Sequence, residues 1–335
     1  QAEDFISDDD VVITSTSLGY IKRMSPEHFH QQNRGGKGIK GMQTIENDYI
    51  EDLFMTTNHH HILFFTNQGR VFRIKGYEIP EASRTSRGTA LVNLLSLQEN
   101  EKVTATLCLR DTNEEKYLIL TTKKGIIKKT ELVQFANVRK NGMIAITLNE
   151  GDQLIEAKVL SEKEDIFLVT RKGMAIQFNE EDIRATGRSS MGVRGIRLNQ
   201  GDEVIGMQKS SQGELFLLVS EKGYGKLTDK SSFKAQARGG KGIRCYKITD
   251  KTGDLVGFKL CDKDREILLI TTEGIMIRFN LDKVSILGRN TSGVKLMDID
   301  KDSDTVIASV AKVREESAEE EEEAEKQDEE TSEEK

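Results

Sequence analysis

A glycine that follows a short polar turn and opens a strand-like run recurs at Gly19, Gly69, Gly125, Gly173, Gly223 and Gly274, at separations of 50, 56, 48, 50 and 51 residues. A second glycine series, Gly38, Gly88, Gly142, Gly192, Gly242 and Gly293, keeps step with it at 50, 54, 50, 50 and 51 residues. Two series in phase over six periods restrict the chain to a row or ring of six similar units, each burying its faces against its neighbours.

The runs between the glycines define the unit. Ahead of the first-series glycines lie Val11-Val12-Ile13, Ile62-Leu63-Phe64-Phe65, Tyr117-Leu118-Ile119-Leu120, Ile166-Phe167-Leu168-Val169, Leu215-Phe216-Leu217-Leu218-Val219 and Ile267-Leu268-Leu269-Ile270. Short apolar runs of this kind read as strands buried on both faces. A second run with more cations follows, as in Arg70-Val71-Phe72-Arg73-Ile74-Lys75, joined through turns such as Thr170-Arg171-Lys172-Gly173 that suit a hairpin closing on a left-handed glycine. Each second-series glycine introduces a third strand, and a turn such as Gly201-Asp202 leads into a fourth. With no convincing helical period, the expectation is an all-β chain of six four-stranded units of about 50 residues. A closed propeller-like ring of six blades accommodates them with short, protected edges. Residues 1–10 read as a linker from a preceding domain, 11–313 as the ring and 314–335 as a disordered acidic tail.

The tail matters for charge. From Arg314 to Lys335 thirteen acidic residues face three basic ones, so the net charge of −7 for the whole chain conceals +3 on residues 1–313. Cys108, Cys245 and Cys261 are widely spaced and form no CxxC pair, which reads as reduced thiols in a cytosolic protein. No apolar run of about 18 residues and no secretory leader stand in the chain, so no membrane contact and a cytoplasmic location are expected. The start at Gln1, without an initiator methionine, reads as that of an excised segment. His59-His60-His61 lies beside an apolar strand where consecutive residues face opposite ways, and no acidic or cysteine partner stands at ligand spacing, so no metal is expected. His28 and His30 could share one face of an extended segment beside the first glycine loop. No recurring Ser-His-Asp set or carboxylate pair signals catalysis.

The cations, in contrast, are placed periodically around the second glycine series. Gln32-Asn33-Arg34-Gly35-Gly36-Lys37-Gly38-Ile39-Lys40 in the first unit is echoed in the fifth by Gln236-Ala237-Arg238-Gly239-Gly240-Lys241-Gly242-Ile243-Arg244. Glycines let backbone amides approach an anion, while Arg and Lys supply fork-shaped and point charges. A nucleotide-binding P-loop does not fit, because Gln31 stands where its first glycine belongs and Gly38 where Ser or Thr would hold magnesium. The other units carry Arg84 and Arg87; Arg139 and Lys140; Arg184, Arg188, Arg194 and Arg197; and Arg289 and Lys295. On a ring these positions form a positive belt, which suits duplex DNA held through its phosphates with little sequence preference. Cations that merely solubilise outer turns, in a propeller that binds proteins, are the alternative.

These residues resemble the C-terminal domain family of DNA gyrase A. The family's box, Gln-Arg-Arg-Gly-Gly-Lys-Gly, is matched by Gln32–Gly38 with Asn33 in place of one cation, and the resemblance covers residues from about 10 to 313. It implies a six-bladed β-pinwheel, with strands exchanged between neighbouring blades, that wraps duplex DNA around its edge so that the parent type II topoisomerase introduces negative supercoils. The DNA-binding residues expected here are Gln32, Arg34, Gly35, Gly36, Lys37, Gly38 and Lys40 of the first unit, together with Arg84, Arg87, Arg139, Lys140, Arg184, Arg188, Arg194, Arg238, Lys241, Arg244, Arg289 and Lys295 of the later ones. It also implies partners, namely the rest of the gyrase A polypeptide as a homodimer and the gyrase B polypeptide, in a bacterial, nucleoid-associated setting. No catalytic residue and no cofactor are expected in this segment, ATP and magnesium belonging to other parts of the parent. A topoisomerase IV type of domain is the related alternative.

Overall fold

In a computed structural model the chain is described over residues 5–32, 39–40, 48–111, 115–299 and 304–312. Unit four shows how the sequence builds a blade. Its first strand Asp165–Thr170 and second strand Met174–Asn179 pair in register from Asp165 opposite Asn179 to Val169 opposite Ala175. Thr170 ends the first strand and its hydroxyl accepts the amide of Met174, while its carbonyl accepts the amide of Gly173. Gly173 sits at φ 93°, which a side chain adopts only with strain. The same Thr or Ser stands three residues before the glycine in every unit, as Thr16, Thr66, Thr122, Thr170, Ser220 and Thr271, each hydroxyl accepting the amide four residues on. The hairpin period is therefore set by a four-residue device. After the second strand the chain makes a 3-10 turn, which Asn179, Asp229 and Asn280 cap by accepting the amide two residues later.

Contrary to the expectation of self-contained four-stranded units, each sheet takes three strands from one unit and its fourth from the next. Val193–Arg194 of unit four pairs with Ile126 and Ile127 of unit three, and unit four receives Ile243–Arg244 of unit five against Met174 and Ala175. The exchange recurs in all six sheets, and Ile39–Lys40 of unit one pairs with Ile275 and Met276 of unit six, closing the ring. The strand exchange implied by the family resemblance is thus the observed topology.

Exchange also explains the two glycine series. A Cβ on Gly173 would stand 2.3 Å from the Tyr246 carbonyl oxygen of unit five, and one on Gly242 would stand 2.2 Å from the Ala175 carbonyl oxygen of unit four. Gly69, Gly125 and Gly223 of the first series and Gly88, Gly192 and Gly293 of the second likewise face a carbonyl oxygen of a neighbouring unit, whereas Gly19 faces open space.

The sheets run fourth, first, second and borrowed third strand. Fourth strands of successive units pack on one another, so they line the centre and the borrowed strands form the rim. Cores lie between units. Between units four and five, the Phe216 ring stacks on Phe258 at 4.8 Å and on Phe233 at 4.2 Å and meets Phe167 edge-on at 5.1 Å.

One element departs from the all-β expectation: a short helix, Pro26–Gln32, precedes the first glycine loop and buries Phe29 against Val12 and Met24. Ser25 begins it, its hydroxyl accepting the His28 amide at 3.4 Å. His28 and His30 therefore lie on a helix rather than in an extended segment. Among the described residues no helix is long and apolar enough to cross a membrane.

Candidate nucleic-acid interface

In units two to six the rim loop leaves the second strand of its own unit, runs along the second strand of the preceding unit, and ends in the exchanged third strand. In unit five the Gln236 amide donates to the Gln177 carbonyl at 2.7 Å and the Gly239 amide to the Gly195 carbonyl at 2.7 Å. The Gly240 carbonyl accepts the Arg197 amide at 2.8 Å. Gly239 and Gly242 adopt φ of 85° and 73°, which only a Gly-Gly-x-Gly loop supplies without strain. Its glycines thus dock the loop on unit four and leave Lys241 and Arg244 exposed at the surface.

The arginines divide into two kinds. Arg188, Arg238 and Arg289 reach back one unit and donate to the carbonyls of Ile144, Arg194 and Arg244 at 3.3, 3.1 and 3.2 Å, so each straps its loop to the preceding third strand. Arg238 also donates to the Asp182 carbonyl. These side chains are half-buried, with donors left over on each planar fork. Arg84, Arg87, Arg139, Lys140, Arg184, Arg194, Lys241 and Arg244 are exposed. Arg87 lies over the Tyr20 ring at 5.2 Å.

Ion pairing separates the rim from the hairpin ends. There, Lys123 pairs with Glu203, Arg171 with Glu203 and Asp254, and Lys172 with Asp254. Among the described rim cations, Lys295 alone has a carboxylate partner, Asp298 at 2.7 Å, which holds its ammonium above the ordinary lysine range by hydrogen bonding and charge.

The belt is uneven in a way the sequence reading did not anticipate. The second residue of the third strand is Arg194, Arg244, Lys295 and Lys40 in units four, five, six and one, but Ala90 and Ile144 in units two and three. In those two units the charge comes from the loop residues Arg84, Arg87, Arg139 and Lys140 instead. Arg34, Gly35, Gly36, Lys37 and Gly38 lie outside the described residues. Gln32 is the last residue of the helix rather than part of a loop, and Lys40 lies in the closing strand.

The other sequence candidates have local partners. The His59 ring meets the Ile6 carbonyl at 2.6 Å, its amide donates to Asp8, and the His60 ring pairs with the Thr57 hydroxyl at 2.8 Å. Among the described residues no group of three or more His, Cys, Asp and Glu side chains could hold a metal ion. Cys245 and Cys261 are buried, and Cys108 is half-buried.

Geometry and charge together define a class: a closed six-bladed β-propeller whose blades exchange an edge strand and whose described rim cations, Lys295 apart, have no carboxylate partner. The chain belongs to the DNA gyrase C-terminal domain, beta-propeller family, whose model matches residues 10–57, 60–110, 116–161, 164–211, 214–262 and 265–310, one match per unit. It is similar to the DNA gyrase A polypeptide of Clostridium acetobutylicum, 47% identical over 317 residues that cover 95% of this chain and 38% of that protein. It is also similar to the DNA gyrase A polypeptide of Halalkalibacterium halodurans, 51% identical over 311 residues that cover 93% of this chain and 37% of that protein. The chain thus spans well under half the length of these relatives. Among solved structures it resembles a DNA gyrase A C-terminal domain, with TM-score 0.78, 29% identity and 91% and 99% coverage. The C-terminal domain of DNA topoisomerase IV shares the fold, with TM-score 0.74, 22% identity and 92% and 94% coverage.

Proposed function

We propose that the rim binds duplex DNA through its phosphates without base readout and bends it around the ring, as the wrapping element of a DNA gyrase A polypeptide. The observation that carries this reading is the contrast in pairing: cations at the hairpin ends are neutralised by Glu203 and Asp254, whereas those around the rim, Lys295 apart, have no carboxylate partner among the described residues. Bending duplex DNA by 40 to 90° costs on the order of 1 to 6 kcal/mol. Contacts spread over successive units offset that cost where one site cannot, and about ten phosphate contacts give a logarithmic salt slope near −9.

On this reading the glycine loop of unit one, with Arg34, Lys37 and Lys40, closes the wrap where the ring closes. The rest of the gyrase A polypeptide and the gyrase B polypeptide are the partners, and ATP and magnesium act in those parts. The setting is the bacterial cytoplasm. Equilibrium binding to unrelated duplexes over a salt series tests the reading: it expects equal affinities and a steep slope. Sequence-dependent affinities, or a flat slope, would overturn it.

A further inference from the structure

The third residue after each first-series glycine alternates in kind around the ring: Lys22, Phe72, Lys128, Ile176, Lys226, Ile277. The lysines of units one, three and five are 0%, 1% and 0% exposed. Each runs beneath the rim loop of the following unit, Lys22 and Lys226 ending among its carbonyl oxygens and Lys128 bridging one of them to a carbonyl of its own unit. Lys22 Nζ donates to the carbonyls of Ser83, Arg84 and Ser86 at 3.0, 2.9 and 3.0 Å. Lys226 Nζ donates to those of Gly288, Arg289 and Thr291 at 2.8, 2.9 and 3.0 Å, and to the Thr291 hydroxyl. Lys128 Nζ donates to the carbonyls of Arg188 and Ala145 at 2.5 and 2.7 Å. The loops of units three and five rest on Phe72 and Ile176 instead. The same fold position thus accepts an apolar side chain, and the lysines are not a requirement of the ring.

We propose that the turns of units two, four and six are phosphate-binding elements charged from beneath, alternating around the rim with the loops of units one, three and five, which have no such lysine. This rests on the DNA reading above and adds to it, at three sites, a positive charge that lies beneath the surface cations of the turn. Turning the carbonyls inward on an ammonium leaves the other side of each turn rich in donors. The amides of Arg84 and Thr85, of Ser189 and of Asn290 have no hydrogen-bond partner among the described residues, and Thr85, Ser189 and Asn290 are exposed. Outward amides over a fixed positive charge form an anion-binding concavity.

None of the three ammonium groups has a carboxylate partner among the described residues, so each is a buried charge without a counter-ion, a costly arrangement. Burial accordingly lowers all three to about 8. A phosphate on the outer side of the turn supplies the missing negative charge. The charged or titratable groups acting on them are few: Arg188 for Lys128, and Arg289 and Cys245 for Lys226, whose ammonium also lies 5.3 Å from the Tyr246 ring. Cys245 and Tyr246 are themselves pushed up to about 12 by burial. Over pH 7 to 9, then, the lysines are the groups at these turns that change charge.

The test is DNA affinity of the whole chain for a linear duplex of mixed sequence at pH 7 and pH 9. A group titrating near 8 that must be charged to bind lowers affinity about tenfold per engaged turn over that range. Lys22→Met, Lys128→Met and Lys226→Met together should remove the pH dependence. Thr85→Glu, Ser189→Glu and Asn290→Glu, which alter exposed residues and leave the lysines in place, should each lower affinity about eightfold at 0.1 M salt, one lost phosphate contact. Tight wild-type binding that is flat from pH 7 to 9 and indifferent to the glutamates would overturn this inference and leave the DNA reading standing. No wild-type binding at all would sink both.

Discussion

Replacing Arg194, Lys241 and Arg244 together by Ala removes three exposed cations from the adjoining rim positions of units four and five while leaving the backbone bonds of the loop in place. None of the three side chains has a carboxylate partner among the described residues, so no counter-charge is orphaned. Exposed positions of this kind change stability by about 0.5 kcal/mol or less. Each phosphate neutralisation contributes about −0.9 to the slope of log K against log salt, so the triple variant should be shallower by about 2.7. The same relation weakens binding about 500-fold at 0.1 M salt and hardly at all near 1 M. Fluorescence anisotropy on a duplex over a salt series reads both quantities. The control is Lys123→Ala, Arg171→Ala and Lys172→Ala, which removes the same charge from cations already paired with Glu203 and Asp254. The control should barely move the slope. Equal changes in the two triple variants would show that net charge, rather than placed and unpaired cations, governs binding, and would refute the reasoning.

Three other outcomes follow from the fold. Gly173→Ala forces a side chain to φ 93° and drives its Cβ to 2.3 Å from the Tyr246 carbonyl oxygen; the left-handed conformation alone costs about 1–2 kcal/mol, so a denaturation midpoint equal to wild type would contradict the exchange geometry. Phe216→Ala empties the centre of the cluster formed with Phe167, Phe233 and Phe258 and should cost about 3–5 kcal/mol in chemical denaturation, whereas a loss below about 1 kcal/mol would mean the inter-unit core is not packed as described. With Lys22, Lys128 and Lys226 lowered to about 8 from 10.5, the unfolded chain binds more protons between those values, so their contribution to stability rises with pH across that window. DNA affinity should fall as pH passes 8, opposite in sign to stability, and the triple Lys→Met variant should lose both trends.

The six-fold period, the strands and both glycine series were legible because each rests on local requirements: a hairpin closed at positive φ, and buried apolar runs. The destination of the third strand was not legible from local pattern. Val193–Arg194 satisfies the same strand criteria whether it pairs within unit four or with unit three, and only the span of the rim loop decides. The family resemblance carried that information instead. The short helix at Pro26 has too few turns to repeat a pattern, although Ser25, Pro26 and Glu27 are a helix-start signature. At the rim, the sequence located the cations but could not separate Arg188, Arg238 and Arg289, which strap loops to neighbouring strands, from Arg194 and Arg244, which project freely. The buried lysines were visible as an alternation with Phe72, Ile176 and Ile277, yet a lysine in a strand reads as solvated until its carbonyl partners are seen.

Wrapping itself is tested most directly by topology. The chain is bound to nicked circular duplex DNA, the nick is sealed with ligase, the protein is removed and the linking number is read by gel electrophoresis. A protein-dependent shift to positive linking number that fades with salt is the result expected of a rim that wraps DNA with one hand. An unshifted distribution at saturating, salt-sensitive binding would contradict it, leaving a rim that holds DNA without winding it.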